Sequence, residues 1–211
     1  MVLSSACARW LDHANGVNPP PEMRRWLTDR TSLTLKLTAR SRYFRVQRLR
    51  QGRALCLADE CAVIALPRRA RVQEREVLLR CDERPVVYAH TIVPLNSTAS
   101  DWPFFGTLGE RSLGTTLFGD PLVRRGRLQF ARLPAQHALV RRAVAAAAAD
   151  GLRLAPHAQL YARRCLFGRK NGLLLVTEVF LPAIAHIQAA ADGRQGIAPV
   201  GSNALYHGSE R

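Results

Sequence analysis

Residues 75–94 read REVLLRCDERPVVYAHTIVP. Two β-rich runs flank Asp82-Glu83-Arg84-Pro85, so the stretch is read as an antiparallel hairpin closed by a four-residue turn. Side chains alternate along a strand, and parity therefore sorts the first run into two faces. One face carries Arg75, Val77, Leu79 and Cys81; the other carries Glu76, Leu78 and Arg80 and reads as solvated. A turn over Asp82–Pro85 pairs Cys81 with Val86, Leu79 with Tyr88 and Val77 with His90. Arg75 then shares a largely apolar face with His90, one diagonal step away. A buried arginine requires an anion or a carboxylate partner.

A second hairpin lies further on. QLYARRCLF and LLLVTEVFLP flank Lys170-Asn171-Gly172, and Asn-Gly is a strong short-range hairpin signal. The second run is apolar on both faces, like a strand covered on both sides. Glu178 sits inside it, where a carboxylate is expected to be paired, protonated or functional. One inward arginine and one inward glutamate suggest a closed pocket for a small anion with a polar far end. The alternative is an ion pair between Arg75 and Glu178 that serves structure alone.

The remaining chain supplies short helices and strands. Pro19-Pro20-Pro21 opens a helix with proline in its first turn. Thr31-Ser32 can cap a following turn, yet Leu33, Leu35 and Leu37 alternate as in a strand, and periodicity leaves the choice open. Tyr43–Arg50 and RLQFARL read as strands, SLGTTLF as a short helix, and Gln136–Asp150 as an alanine-rich helix stopped by Gly151. Asn96–Glu110 reads as a long loop. Hairpins joined to a few helices indicate an α+β fold with a single antiparallel sheet. Residues 1–182 are read as one domain, and 183–211 as a tail that is a candidate for disorder.

Composition narrows the classes. The 211 residues carry 47% hydrophobic and 22% charged side chains, ordinary for a globular chain. The 31 basic and 16 acidic residues give a net charge of +15, which first suggests nucleic acid. Only Lys36 and Lys170 are lysines, however, and abundant arginine with alanine is what a GC-rich coding sequence produces. The basic stretch Arg124–Arg132 is accordingly read as an edge strand with its charges in water. Five cysteines without C-x-x-C spacing argue against a disulfide framework or zinc. No apolar stretch approaches the roughly 18 residues of a membrane span. The N-terminus lacks a signal-peptide core, so a reduced, cytoplasmic protein is expected. His13, His137, His157, His186 and His207 have no metal or triad spacing, and no Walker, G-x-G-x-x-G or G-x-S-x-G motif occurs.

At these residues the sequence resembles the chorismate lyase family, over roughly Trp10 to Ala183. WLTDRTSLT, REVLLRC…AHTIVP, SLGTTLF and YARRCLF…LLLVTEVFLPA carry the resemblance, in that order and spacing. It implies one antiparallel sheet flanked by helices that enclose an internal ligand pocket. It also implies elimination of pyruvate from chorismate to give 4-hydroxybenzoate, at the first committed step of ubiquinone biosynthesis, without metal or cofactor. By the same resemblance Arg75 and Glu178 are the catalytic pair, and Leu33 and Leu113 contact substrate, through backbone N–H groups. His90 is the expected contact for the pyruvyl carboxylate; some family members carry arginine there. A ring hydrogen must leave and the enolpyruvyl methylene must gain a proton, and both events fit within the substrate itself. Slow product release under the Asn96–Glu110 loop as a lid is expected. The expected partners are chorismate and 4-hydroxybenzoate, not nucleic acid, and the expected state is a monomer. The competing reading is a non-catalytic sensing domain of the same fold. Such domains follow a winged helix, for which the roughly 40 residues before the first strand are few.

Overall fold

The two hairpins legible in the sequence are parts of one sheet. A computed structural model describes residues 7–155 and 157–187. Its strands are β1 (Phe44–Leu55), β2 (Arg71–Cys81), β3 (Arg84–Pro94), β4 (Val123–Pro134), β5 (Gln159–Arg169) and β6 (Gly172–Phe180), in spatial order β1-β2-β3-β6-β5-β4. Every neighbour is antiparallel. The helices are α1 (Pro21–Leu27), α2 (Leu33–Thr38), α3 (Leu113–Gly119) and α4 (Ala138–Ala146). The expected single antiparallel sheet flanked by helices is what forms.

The β2–β3 register departs from expectation by one residue. The turn is only Asp82-Glu83, with φ of 48° and 63°, so Cys81 pairs with Arg84. Two consecutive positive φ values are the signature of a type I′ hairpin, whose twist matches that of the strands. A bulge follows on β3: Arg80 pairs with Pro85 and Leu79 with Val87, which leaves Val86 as the extra residue beside a proline that has no N–H to give the ladder. Beyond it Leu79 faces Val87, Val77 faces Ala89, Glu76 faces His90 and Arg75 faces Thr91. A one-residue slip moves every side chain to the opposite face. Arg75 therefore shares its face with Ala89 and Thr91, while His90 joins Glu76.

The face expected to be solvated is also buried. Helix α4 lays Leu139, Val140, Ala143 and the following Ala147 against Leu78, Tyr88, Ala131 and Val179. The 56–70 segment packs Cys56, Cys61 and Ile64 on Val72, Ile92 and Leu175. The alanine-rich helix is shorter than expected: it ends at Ala146, and a 3-10 turn Ala148–Asp150 leads to Gly151 at φ 79°. Both edges of the sheet are basic. On β4, Arg124, Arg127 and Arg132 point into water, as an edge strand permits.

On the opposite face two apolar clusters leave a gap between them. Trp26, Leu27, Leu37, Val77, Leu79 and Phe180 fill one end. Trp102, Phe105, Leu108, Leu113, Leu117, Phe167 and Leu174 fill the other. Helices α2 and α3 bridge the gap as a roof. Ser32 caps α2 by accepting from Leu35 N–H at 3.4 Å, which settles helix over strand for this segment. The second hairpin turns on Lys170-Asn171, with Gly172 already paired to Arg169. A side chain at Gly172 would meet Asp101 within 2.5–3.0 Å, so glycine is needed there by close approach. The expected tail begins as a 3-10 turn, Pro182–His186, whose Ile184 is buried in the core; residues 188–211 lie outside the described ones. No helix among the described residues is long and apolar enough to cross a membrane.

Candidate active site

The gap under α2 and α3 is a cavity holding about 670 Å³ of non-protein space, its open mouth included. Strand parity builds its floor. Strand β2 gives Arg75, Val77 and Leu79; β3 gives Ala89 and Thr91; β6 gives Val176 and Glu178; β5 gives Arg163, Cys165 and Phe167; β4 gives Arg125 and Leu128. Thr31, Leu33 and Thr34 roof it from the α2 side, and Leu113, Gly114, Leu117 and Phe118 from α3. The Thr34 and Ser112 hydroxyls meet at 2.7 Å where the two roof helices touch. Four of the five expected site residues, Arg75, Glu178, Leu33 and Leu113, thus line one cavity.

Arg75 is 2% exposed. Its Nη2 donates to the carbonyls of Gly109 and Arg111 at 3.0 and 2.8 Å, and its Nε donates to Gly109 at 3.3 Å. Gly109 has φ +54°, a conformation that suits glycine and turns this carbonyl-bearing loop to the guanidinium. Among the described residues Arg75 has no carboxylate partner. Burial, with the charge of Arg48 in second place, depresses its pKa to about 10. An uncompensated buried cation beside an apolar cavity is an anion site in waiting.

The expected alternative, an Arg75–Glu178 ion pair, does not form. Glu178 instead accepts from Nε of Arg163, its direct cross-strand neighbour. Arg163 is 2% exposed, and its Nη1 also reaches the carbonyls of Trp26, Leu27 and Asp29 at 2.9, 3.3 and 2.7 Å. Those acceptors belong to the end of α1 and the loop after it, where helix carbonyls lack intrahelical partners. Arg163 was not singled out in the sequence. Counting back from a two-residue Lys170-Asn171 turn would have set it opposite Glu178. The Asn96–Glu110 loop contributes no lining residue, and Trp102 and Phe105 anchor it as fully buried side chains, so the roof is α2 and α3 rather than that loop.

His90 is the correction among the site residues: it faces away from the cavity. The one-residue slip puts it on the reverse face with three buried carboxylates. Its Nε2 lies 3.0 Å from Glu60 Oε1, and its Nδ1 lies 3.7 Å from both Glu74 Oε2 and Glu76 Oε1. The Glu60 approach is off-line for a hydrogen bond, so it acts as a charge contact. Arg142 of α4 donates to Glu74 and Glu76 at 3.0 and 2.6 Å. Glu74, Glu76 and His90 bring ligand-type atoms within 4.8 Å of one another, but Arg142 already bridges both carboxylates. The cavity itself offers one carboxylate, one thiol and no histidine, a poor donor set for a metal.

This reverse-face network has a pH signature. Burial alone would lower the His90 pKa, but the charge of Glu60 and contacts with Glu76 and Glu74 outweigh it and push it up to about 10. Against burial, contacts with His90 hold Glu60 below the usual carboxylate range, and with Arg142 they hold Glu76 at about 2. The imidazolium's contribution to stability is complete below its unfolded pKa of about 6.5 and fades as pH rises through about 10. The carboxylates' contribution is present above about 4.5 and fades as pH falls toward 2. His90→Gln is expected to cost about 3–5 kcal/mol in denaturant unfolding at pH 6, since it leaves buried carboxylates short of a cation. The difference from wild type should shrink at pH 10–11; an equal loss at both pH values would remove charge from the explanation.

The family model for chorismate lyase matches residues 4–189. A probable chorismate pyruvate-lyase of Ralstonia nicotianae is 53% identical over 161 residues, covering 76% of this chain and 82% of that protein. One of Nitrosomonas europaea is 42% identical over 175 residues, covering 83% and 95%. Among solved structures, the effector domain of PhnF from Mycobacterium smegmatis aligns with a TM-score of 0.47 at 14% identity, over 72% of this chain and 89% of that one. The family match spans every cavity-lining residue from Thr31 to Glu178, and the chain belongs to the chorismate lyase family.

Proposed function

We propose that this chain eliminates pyruvate from chorismate and releases 4-hydroxybenzoate. The observation that carries the reading is the cavity's polarity. A buried guanidinium without a carboxylate partner stands at one side and a carboxylate at the other, with apolar walls between. One strand separates β2 from β6, and Glu178 lies two residues beyond Val176, which is level with Arg75 through Thr91, so the two groups are about 12 Å apart at backbone level. Their side chains reach toward each other over a floor of Val77, Ala89 and Val176. That is a slot for one six-membered ring with a carboxylate at one end and a hydroxyl at the other.

In this reading Arg75 grips the ring carboxylate, for which its planar fork is suited. The first backbone N–H groups of α2 and α3, at Leu33 and Leu113, supplement it. Glu178 accepts from the ring hydroxyl para to the carboxylate. The ether carbon is the next ring atom. Its C–O bond breaks, the hydrogen on the hydroxyl-bearing carbon passes to the enolpyruvyl methylene, and the ether oxygen becomes the ketone of pyruvate. The ring becomes aromatic, no atom is gained or lost, and no redox partner is required. The protein's share is to hold the side chain over the ring and to exclude water. The reading includes the family's expected setting, a cytoplasmic monomer at the entry to ubiquinone synthesis.

Incubation of the pure protein with chorismate, followed by ultraviolet absorbance, tests the activity. Growth of the 4-hydroxybenzoate band supports it. Tight ligand binding without turnover would favour the sensing domain instead. Glu178→Gln is expected to lower kcat about tenfold, the difference between a charge-assisted and a neutral acceptor. Gln still accepts from Arg163, so the fold should hold. An unchanged kcat would reduce Glu178 to a binding role.

A further inference from the structure

Chorismate has two carboxylates, and the reading above provides for one. The expected second contact, His90, lies on the reverse face of the sheet. The cavity presents three cations: Arg75, Arg125 and Arg163. Arg75 faces the ring carboxylate, and Arg163 is held by Glu178 and three main-chain carbonyls.

Arg125 is different. Among the described residues it pairs with no carboxylate, and its one protein acceptor is the carbonyl of Arg30, just before α2. Its Nε is buried and has no hydrogen-bond partner. The guanidinium carbon lies 5.2 Å from the ring centroid of Phe118, a half-exposed cavity residue on α3, which sets it at the rim. It is also on the Glu178 side. The Cys165 thiol, pushed up mainly by burial, feels the charges of both Arg125 and Glu178. Cys165 pairs with Val176, two residues before Glu178 on β6. The ether carbon adjoins the hydroxyl that Glu178 holds, so the enolpyruvyl arm leaves the ring on this side.

We infer that Arg125 binds the second carboxylate of the substrate, the one on the enolpyruvyl arm, and so selects a dicarboxylate over a simple hydroxybenzoate. The inference rests on the lyase reading. The carboxylate keeps its charge throughout the reaction, so Arg125 binds ground and transition states alike, and its loss appears in KM rather than kcat. 4-Hydroxybenzoate has no such arm and does not use Arg125.

The test is Arg125→Leu and Arg125→Lys, with chorismate kinetics and 4-hydroxybenzoate binding by calorimetry on each. For Arg125→Leu we expect KM to rise by about ten- to a hundredfold, the loss of one charged hydrogen-bonded contact. We expect kcat within about threefold of wild type, product affinity within about twofold, and an intermediate KM for Arg125→Lys. Parallel weakening of substrate and product would make Arg125 a strut of the roof, through Arg30 and Phe118, and overturn the inference. An unchanged KM would overturn it too. Wild-type protein that neither turns over chorismate nor binds the product would sink the lyase reading itself, which these arms keep separate.

Discussion

Arg75→Met is expected to lower kcat/KM for chorismate by about 10²–10³-fold or more, with little loss of fold. Removing one partner of a buried charged contact costs about 2–5 kcal/mol, and Arg75 is the cation most deeply committed to the cavity without a carboxylate of its own. The unliganded protein bears a cost for it, visible in the pKa depressed to about 10, mainly by burial. Methionine removes that cost and keeps most of the volume. It gives up the bonds to the Gly109 and Arg111 carbonyls, so melting should shift by a few degrees at most in either direction. A residue that burdens the fold and serves the ligand is a functional one. Arg75→Lys should recover little, because an ammonium does not reproduce the planar fork. Product affinity should fall along with turnover, in contrast to Arg125. A variant with a wild-type melt and kcat/KM within threefold of wild type would end the assignment.

Strand parity found Arg75, whose run alternates clearly, and Glu178 stood out as a carboxylate inside a run that is apolar on both faces. It failed at His90 through local backbone chemistry. A composition of Asp-Glu-Arg-Pro reads as a four-residue turn, but the chain turns on Asp82-Glu83 with both φ positive and then bulges at Val86, just after Pro85. Neither residue is glycine or asparagine, so nothing in the letters announced a type I′ turn. One residue of register then moved His90 from the ligand face to the carboxylate network. Arg163 and Arg125 were hidden by abundance, since one arginine among 29 carries no signal until strand pairing singles it out. Helix α2 was undecidable by period because six residues span under two turns, and its Ser32 cap is a three-dimensional fact. The Asn96–Glu110 segment looks like a free loop until Trp102 and Phe105 are seen to have found the core.

The second large effect should come from Arg163→Met, and here stability and activity are lost together. Arg163 links the sheet to α1: its Nε holds Glu178 in the cavity wall and its Nη1 gathers the carbonyls of Trp26, Leu27 and Asp29. Deleting the charge leaves Glu178 facing an apolar cavity without its partner, and strips a shared donor from three carbonyls. Breaking a buried pair from one side costs about 3–5 kcal/mol, or roughly 10 °C of melting temperature at this chain length. The carboxylate, no longer held by Arg163, should also lose the orientation in which it accepts from the ring hydroxyl. A double variant separates the two losses. With Arg163→Met and Glu178→Leu together, no charge is left stranded, and most of the melting temperature should return, as apolar replacement of buried pairs commonly allows. Turnover should stay at the level of the weaker single variant or below. Recovery of stability without recovery of activity would assign the pair to the chemistry of the cavity; recovery of both would show that it had only been tying α1 to the sheet.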